Sequence, residues 1–180
     1  PWLKAGGEFE GSPALAMNAN GSPLLVARNK AGAYLAKTYS GFPGFSSWIQ
    51  FGGNFVSDPV VTAVGNTYYV AWRDKAGAIA LASYSLGGKV EWRDLGGKFA
   101  GKPSVAAGPN GPVVAARDSA GTVSVYWGAN WTRLPGAAKS DPQLAGNTNA
   151  AAYIAVHDST EHIAWMPLTL GPTALTAGAW

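Results

Sequence analysis

The sequence predicts an all-β fold of repeated four-stranded antiparallel meanders, and three observations carry that prediction. One unit recurs along the chain. Trp2-Leu-Lys-Ala-Gly-Gly-Glu-Phe9 matches Trp48-Ile-Gln-Phe-Gly-Gly-Asn-Phe55 and Trp92-Arg-Asp-Leu-Gly-Gly-Lys-Phe99, and a worn copy reads Trp131-Thr-Arg-Leu-Pro-Gly-Ala-Ala138. Turn formers are dense, with 24 Gly and 12 Pro in 180 residues, while charged residues make up only 13%. No stretch keeps a helical apolar period over the length a helix requires.

The order of landmarks within the unit makes the repeat specific. After each Trp comes a proline (Pro13, Pro59, Pro103, Pro142), then Arg28, Arg73, Arg117 or His157, then Gly32, Gly77, Gly121 or Glu161. The third copy shows the strands in turn. Ser104–Ala107 is a short apolar strand, and Gly108-Pro-Asn-Gly111 is a turn, because Asn-Gly tolerates positive φ. Val113–Arg117 is a second apolar strand, closed by the tight turn Asp118-Ser-Ala-Gly121. Thr122–Trp127 alternates as a half-buried strand does, Gly128-Ala-Asn130 turns again, and Trp131–Leu134 is the fourth strand. The aspartates Asp74, Asp118 and Asp158 that follow the Arg or His read as turn caps, since Asx side chains hydrogen-bond to the backbone just downstream.

A four-stranded meander repeated at this interval is the pattern of a β-propeller blade. A lone small sheet with two apolar faces cannot bury both, whereas stacking blades around an axis buries face against face. Small Ala and Gly suit the crowded inner strands, and the motif Trp falls on the outer strand, where its ring wedges against neighbours. Phe9, Phe55 and Phe99 are expected at equivalent buried positions, with Ala138 filling less of the same space. The whole chain, 1–180, reads as one propeller domain with repeats at approximately 2–47, 48–91, 92–130 and 131–168, and 169–180 as a tail. Trp2-Leu-Lys4 is placed to supply the outer strand of the last copy. Three closures compete: a four-bladed ring, half of a larger dimeric ring, and a slice of a longer propeller.

Composition narrows the function classes. The net charge is +3 with the 13 Lys and Arg scattered singly, so no basic stripe for nucleic acid forms. No apolar run approaches a membrane span. There is no Cys, which excludes a disulfide framework and Cys-based zinc. His157 and His162 alone make a poor metal site, and no nucleophile–base pair or carboxylate set stands out. No catalytic residue, metal or cofactor is expected. A secreted or extracellular setting suits a cysteine-free module of this kind.

The unit Trp92-x-x-Leu-Gly-Gly-x-x-x-x-x-Pro-x-Val-Ala-x-Gly-Pro, continuing to Val-x-x-Arg117-Asp118, resembles the blade repeat of the PLL-like bacterial lectins, the sugar-binding β-propellers of the Photorhabdus type. The resemblance extends from Trp2 to about Pro167 and is weakest in the fourth copy. It implies a propeller and a glycan-binding activity. That family has seven blades, so the blade number does not carry over to four copies.

A non-catalytic lectin module with several shallow aromatic sites between blades is therefore the leading expectation. Its partners would be multivalent glycans, with a homodimer as one route to a closed ring. The alternative is a protein-binding or structural accessory propeller of a secreted protein. Sugars pack C–H faces on aromatic rings and need polar partners alongside. The expected ligand-binding residues are Trp72, Arg73, Tyr84 and Trp92 between the second and third copies, with Trp127 and Arg117 serving the next gap.

Overall fold

The computed structural model describes residues 3–39 and 44–180; the Trp2 landmark lies outside the described residues. Four sheets follow one another, each of four antiparallel strands in chain order, and no helix occurs among the described residues. Blade 1 comprises β1 (Glu10–Met17), β2 (Pro23–Arg28), β3 (Tyr34–Thr38) and β4 (Ile49–Gly52). Blade 2 comprises β5 (Val60–Val64), β6 (Thr67–Arg73), β7 (Ile79–Ser85) and β8 (Glu91–Gly96). Blade 3 comprises β9 (Ser104–Gly108), β10 (Gly111–Arg117), β11 (Val123–Trp127) and β12 (Asn130–Arg133). Blade 4 comprises β13 (Gln143–Gly146), β14 (Ala151–His157), β15 (Ile163–Leu170) and β16 (Leu175–Ala177). The motif thus straddles two blades: its Trp lies on or beside one blade's outer strand, and its Gly-Gly-x-Phe leads into the next.

That lead-in explains the paired glycines. Gly53 and Gly97 have φ of +95° and +89°, and the rings of Phe55 and Phe99 fold back onto them so closely that a Cβ at either glycine would overlap the ring. The same phenylalanines donate their backbone N–H to the carbonyls of Gly32 and Gly77 in the preceding blade, at 2.9 and 2.8 Å. The ring then meets the motif Trp of its own blade: Phe9 with Trp48 at 4.8 Å, Phe55 with Trp92 at 6.0 Å and Phe99 with Trp131 at 4.6 Å between centroids. Phe55 is buried as expected, and so is Ala138, but Phe9 and Phe99 are only half-buried. Phe55 alone is enclosed by two further rings, Tyr34 and Trp72, each 4.4 Å away.

The fourth blade corrects the sequence reading of its outer strand. The 169–180 stretch is not a plain tail: β16 lies within it and pairs with β15 through Leu168↔Ala177, Thr169↔Thr176 and Leu170↔Leu175. A hairpin at Gly171, whose N–H donates to Ala174 O at 2.9 Å, brings this strand in locally. β16 pairs only with the Leu168–Leu170 end of β15 and leaves Ile163–Met166 without an outer-strand partner. Leu3 and Lys4 lie in no strand. Trp180 also has a place: its indole N–H donates to Pro135 O, and the ring lies against Gly136. Gly136 is the counterpart of Gly53 and Gly97, so Trp180 occupies the flank that Phe takes in the other copies and that Ala138 leaves open.

The inner strands β1, β5, β9 and β13 pack side by side in that order. Three clusters of buried residues correspond to the three junctions. Leu24, Val26, Tyr34 and Ala36 of blade 1 meet Tyr68, Val70 and Trp72 of blade 2. Ala71, Ile79 and Leu81 meet Val114, Ala116 and Tyr126 of blade 3. Val113, Val123, Val125 and Trp127 meet Ile154, Met166 and Leu168 of blade 4. Among the described residues no cluster joins blade 4 to blade 1, and these residues form an arc of four blades.

Candidate functional site

The six residues singled out from sequence separate into three environments. Trp72 and Tyr84 belong to the junction of blades 1 and 2. Trp72 is 1% exposed, walled in by Tyr34, Phe55 and Trp92, and Tyr84 packs against Phe51 and Tyr68. The Trp72 ring, sealed in this way, offers no face to a ligand, while Tyr84, though buried, borders a shallow hollow with Tyr69, Ser83 and Glu91.

Arg73 and Arg117 sit at the ends of β6 and β10 and reach across to the following blade. Arg73 Nε donates to Gly101 O at 3.2 Å. Arg117 donates to Asp141 Oδ1 at 3.3 Å and to Asp118 O at 3.3 Å. Arg28 does the same in blade 1, with Asp58 at 3.9 Å. Asp141 also accepts the Lys102 N–H at 2.9 Å. The repeat arginine is thus a clamp between neighbouring blades. The aspartates after it cap turns: Asp118 Oδ1 accepts the N–H groups of Ala120 and Thr122, and Asp74 Oδ1 that of Ala78. Asp158 accepts from Thr160 and His162 in the same way, and these hydrogen bonds, that of the Thr160 side chain foremost, hold its carboxyl below the usual range.

Trp92 and Trp127 line an open cleft of about 540 Å³ between blades 2 and 3, at the opposite end of the sheets from the arginine clamps. Strand alternation builds its blade 2 wall. Cross-strand pairing sets Tyr69 beside Ser83, Ser83 beside Glu91, and Leu81 beside Arg93, so these five side chains share the face turned toward blade 3. From blade 3 come Tyr126 and the tight turn at Asn110. The Arg93 guanidinium lies over the Tyr126 ring, 5.5 Å from its centroid, a cation–π contact that fixes the charged head beside an aromatic face. Trp127 is anchored by its indole N–H to Gly171 O at 2.7 Å. Trp92 is 48% exposed at the rim.

The cleft also gathers Glu91, Arg93, Ser83, Asn110, Tyr69 and Tyr126, none of which the sequence analysis singles out. The signal was the alternation along the outer strand: Glu91 and Arg93 flank the motif Trp and must point to the face opposite to it. The other junctions lack this set. Thr38, Ser47 and Ile49 stand at the counterpart positions in blade 1, and Trp127 with Leu168 and Leu170 fills the junction of blades 3 and 4.

Among the lining residues Glu91 is the sole carboxylate. Among the described residues no group of three or more His, Asp or Glu is gathered to hold a metal ion.

No family model matches the chain, and no curated protein sequence matches it. Solved structures do. A lectin of Aleuria aurantia in complex with Fucα1-6GlcNAc aligns at TM-score 0.60 and 14% identity, over 96% of this chain and 64% of that one. AofleA from Arthrobotrys oligospora aligns at TM-score 0.58 and 13% identity, over 92% of this chain and 55% of that one. The chain therefore spans less than two thirds of either protein, and at these identities the likeness is one of fold. With four sequential meanders stacked around a common inner edge, the chain is an all-β, propeller-like assembly of four blades.

Proposed function

We propose that this chain is a non-catalytic carbohydrate-binding module and that the cleft between blades 2 and 3 seats the sugar. The observation that carries the reading is the pairing of half-buried Tyr69, and the exposed edge of Trp92 at the rim, with Arg93, Glu91, Ser83 and Asn110 in one open depression floored by buried Tyr126. Such a surface packs the apolar face of a pyranose while a few polar groups choose among hydroxyl patterns. A lone carboxylate does not supply the acid–base pair that most glycoside hydrolysis requires, so binding rather than cleavage suits the geometry.

Two further observations support it. The blade repeat resembles that of the PLL-like lectins, and the structures of similar fold include a lectin in complex with Fucα1-6GlcNAc and with α-methyl-L-fucoside. A module of this kind works where glycans are displayed, outside the cell. Its shallow site gains strength on clustered glycans through avidity.

A glycan array probed with the labelled chain tests the reading. The expected result is retention on a restricted set of glycans, lost in Arg93→Ala and in Glu91→Gln while the far-ultraviolet spectrum stays that of an all-β protein. Retention on none of the glycans, or retention unaffected by either substitution, would remove the cleft from consideration.

A further inference from the structure

We propose that a second copy of this chain closes the arc, the blade 4 of each copy docking on the blade 1 of the other to complete an eight-bladed ring. The arc leaves an apolar face exposed at each end. On the outer face of blade 4, Tyr153, Ile163 and Trp165 are 50%, 67% and 58% exposed. Counted from the repeat Arg or His, their counterparts in blade 3 are Val113, Val123 and Val125, all buried against blade 4. Blade 1 exposes the complementary face. Leu15 is 65% exposed, while its counterparts Val61, Val105 and Leu144 pack into the three junction clusters. An open, largely apolar hollow of about 390 Å³ on that face, lined by Leu3, Leu15, Leu25, Tyr39, Phe45 and Lys37, whose ammonium donates to Ala5 O, offers a seat for the Trp165 ring.

The backbone supplies an independent match. The outer strands of blades 1, 2 and 3 pair with Tyr34–Ala36, Ile79–Ser83 and Ser124–Trp127. The counterpart edge of blade 4 is Ile163–Met166, and β16 pairs instead with Leu168–Leu170. An outer-strand edge therefore stands vacant at one end of the arc. At the other end, Leu3-Lys-Ala-Gly6 carries the sequence of an outer strand, aligned with Ile49–Gly52 and Arg93–Gly96, and belongs to no sheet. In the register of the internal blades, where Gly52 faces Tyr34 and Gly96 faces Ile79, Gly6 of one copy faces Ile163 of the other. Each copy offers both halves of the junction, so two copies satisfy both ends at once, and a head-to-tail contact that closes leaves no free end.

One corner of this junction is looser than the internal ones. Glu161 stands where Gly32, Gly77 and Gly121 stand in the other blades; it keeps the left-handed φ of +69° but carries a Cβ. At the internal turns such a Cβ would come within 2.8–3.2 Å of the carbonyl of the incoming segment. Removing it should tighten the ring.

Light scattering and sedimentation of the 180-residue chain test the proposal without reference to any sugar. The expected mass is twice 18.5 kDa. Leu15→Asp and Trp165→Asp each convert it to a single chain with an unchanged far-ultraviolet spectrum, and Glu161→Gly lowers the dimer dissociation constant. A single-chain mass at about 100 µM, where an assembly that buries core-like faces should be complete, would overturn the proposal. So would a ladder of larger open polymers, or a dimer indifferent to Trp165→Asp.

Discussion

Phe55 folds back over Gly53 so tightly that the glycine has no room for a side chain, and this contact carries the chain from one blade into the next. The ring pressed onto Gly53 is the one that Tyr34, Trp72 and Trp92 surround, so a local backbone requirement and a junction core are the same feature.

Gly53→Ala should therefore destabilise the protein by roughly 2–4 kcal/mol, combining a strained positive φ with displacement of the Phe55 ring. Phe55→Ala alone should cost roughly 3–5 kcal/mol through lost burial and the cavity left behind. The double variant should cost clearly less than the sum, because the methyl added in place of Gly53 then meets no ring. Chemical denaturation of the three variants measures this; additive losses would separate the two residues.

The arginine clamps give a second prediction. Arg117 and Asp141 are each partly exposed, with side chains 20% and 34% accessible, so water screens the pair and a coupling of roughly 1 kcal/mol is expected from a double-mutant cycle. Arg117→Ala should lower stability and leave glycan binding as it is. A loss of binding with stability intact would make Arg117 a ligand contact.

The fold was legible because its physics repeats. Four landmarks in fixed order gave the strands, the turns and the outer-strand position of the motif Trp, since Gly-Gly-x-Phe and the Arg–Asp turn impose the same local geometry each time. What did not repeat was harder to read. β16 and Trp180 belong only to the last blade, and neither has a counterpart in the repeat, so the strand reads as a tail in the sequence. The cleft residues Glu91 and Arg93 are likewise particular to one junction. The motif Trp between them drew attention to an aromatic ring, whereas alternation sends its two neighbours to the opposite face. Trp72 stands near a strand end like a ring offered to a ligand, but whether a ring is buried or offered depends on how many other rings reach the same junction, and Tyr34, Phe55 and Trp92 all reach this one.

Tyr34 predicts behaviour at high pH. Burial pushes its phenol well above the ordinary tyrosine range, with the hydroxyl donating to Ser57 O at 2.7 Å. In the unfolded chain the phenol ionises near its ordinary value of 10.0, while the folded chain holds the proton. The stabilisation is complete below that value and is lost as pH climbs from there toward the folded pKa. Stability should fall steeply with pH in the alkaline range, and Tyr34→Phe should flatten the fall. At neutral pH Tyr34→Phe costs about 1–3 kcal/mol, because Ser57 O loses its donor. An unaltered alkaline slope in the variant would contradict the assignment.

Trp180 should be needed by the last blade. Its ring is 39% exposed and otherwise lies along the Pro135–Gly136 turn. Trp180→Ala should cost about 1–2 kcal/mol from lost apolar burial, and hydrogen exchange should quicken in blade 4 before the other blades. Uniform exchange across the molecule would show that the ring is not a tether.

Sugar binding in the cleft between blades 2 and 3 is tested by calorimetric titration with a panel of methyl glycosides, α-methyl-L-fucoside among them. The predicted result is saturable binding of at least one glycoside, weakened tenfold or more by Arg93→Ala, a loss of about 1.4 kcal/mol, and unchanged by Arg73→Ala at the opposite end of the blade. Binding that survives Arg93→Ala but disappears with Arg73→Ala, or no saturable binding by any member of the panel, would contradict it.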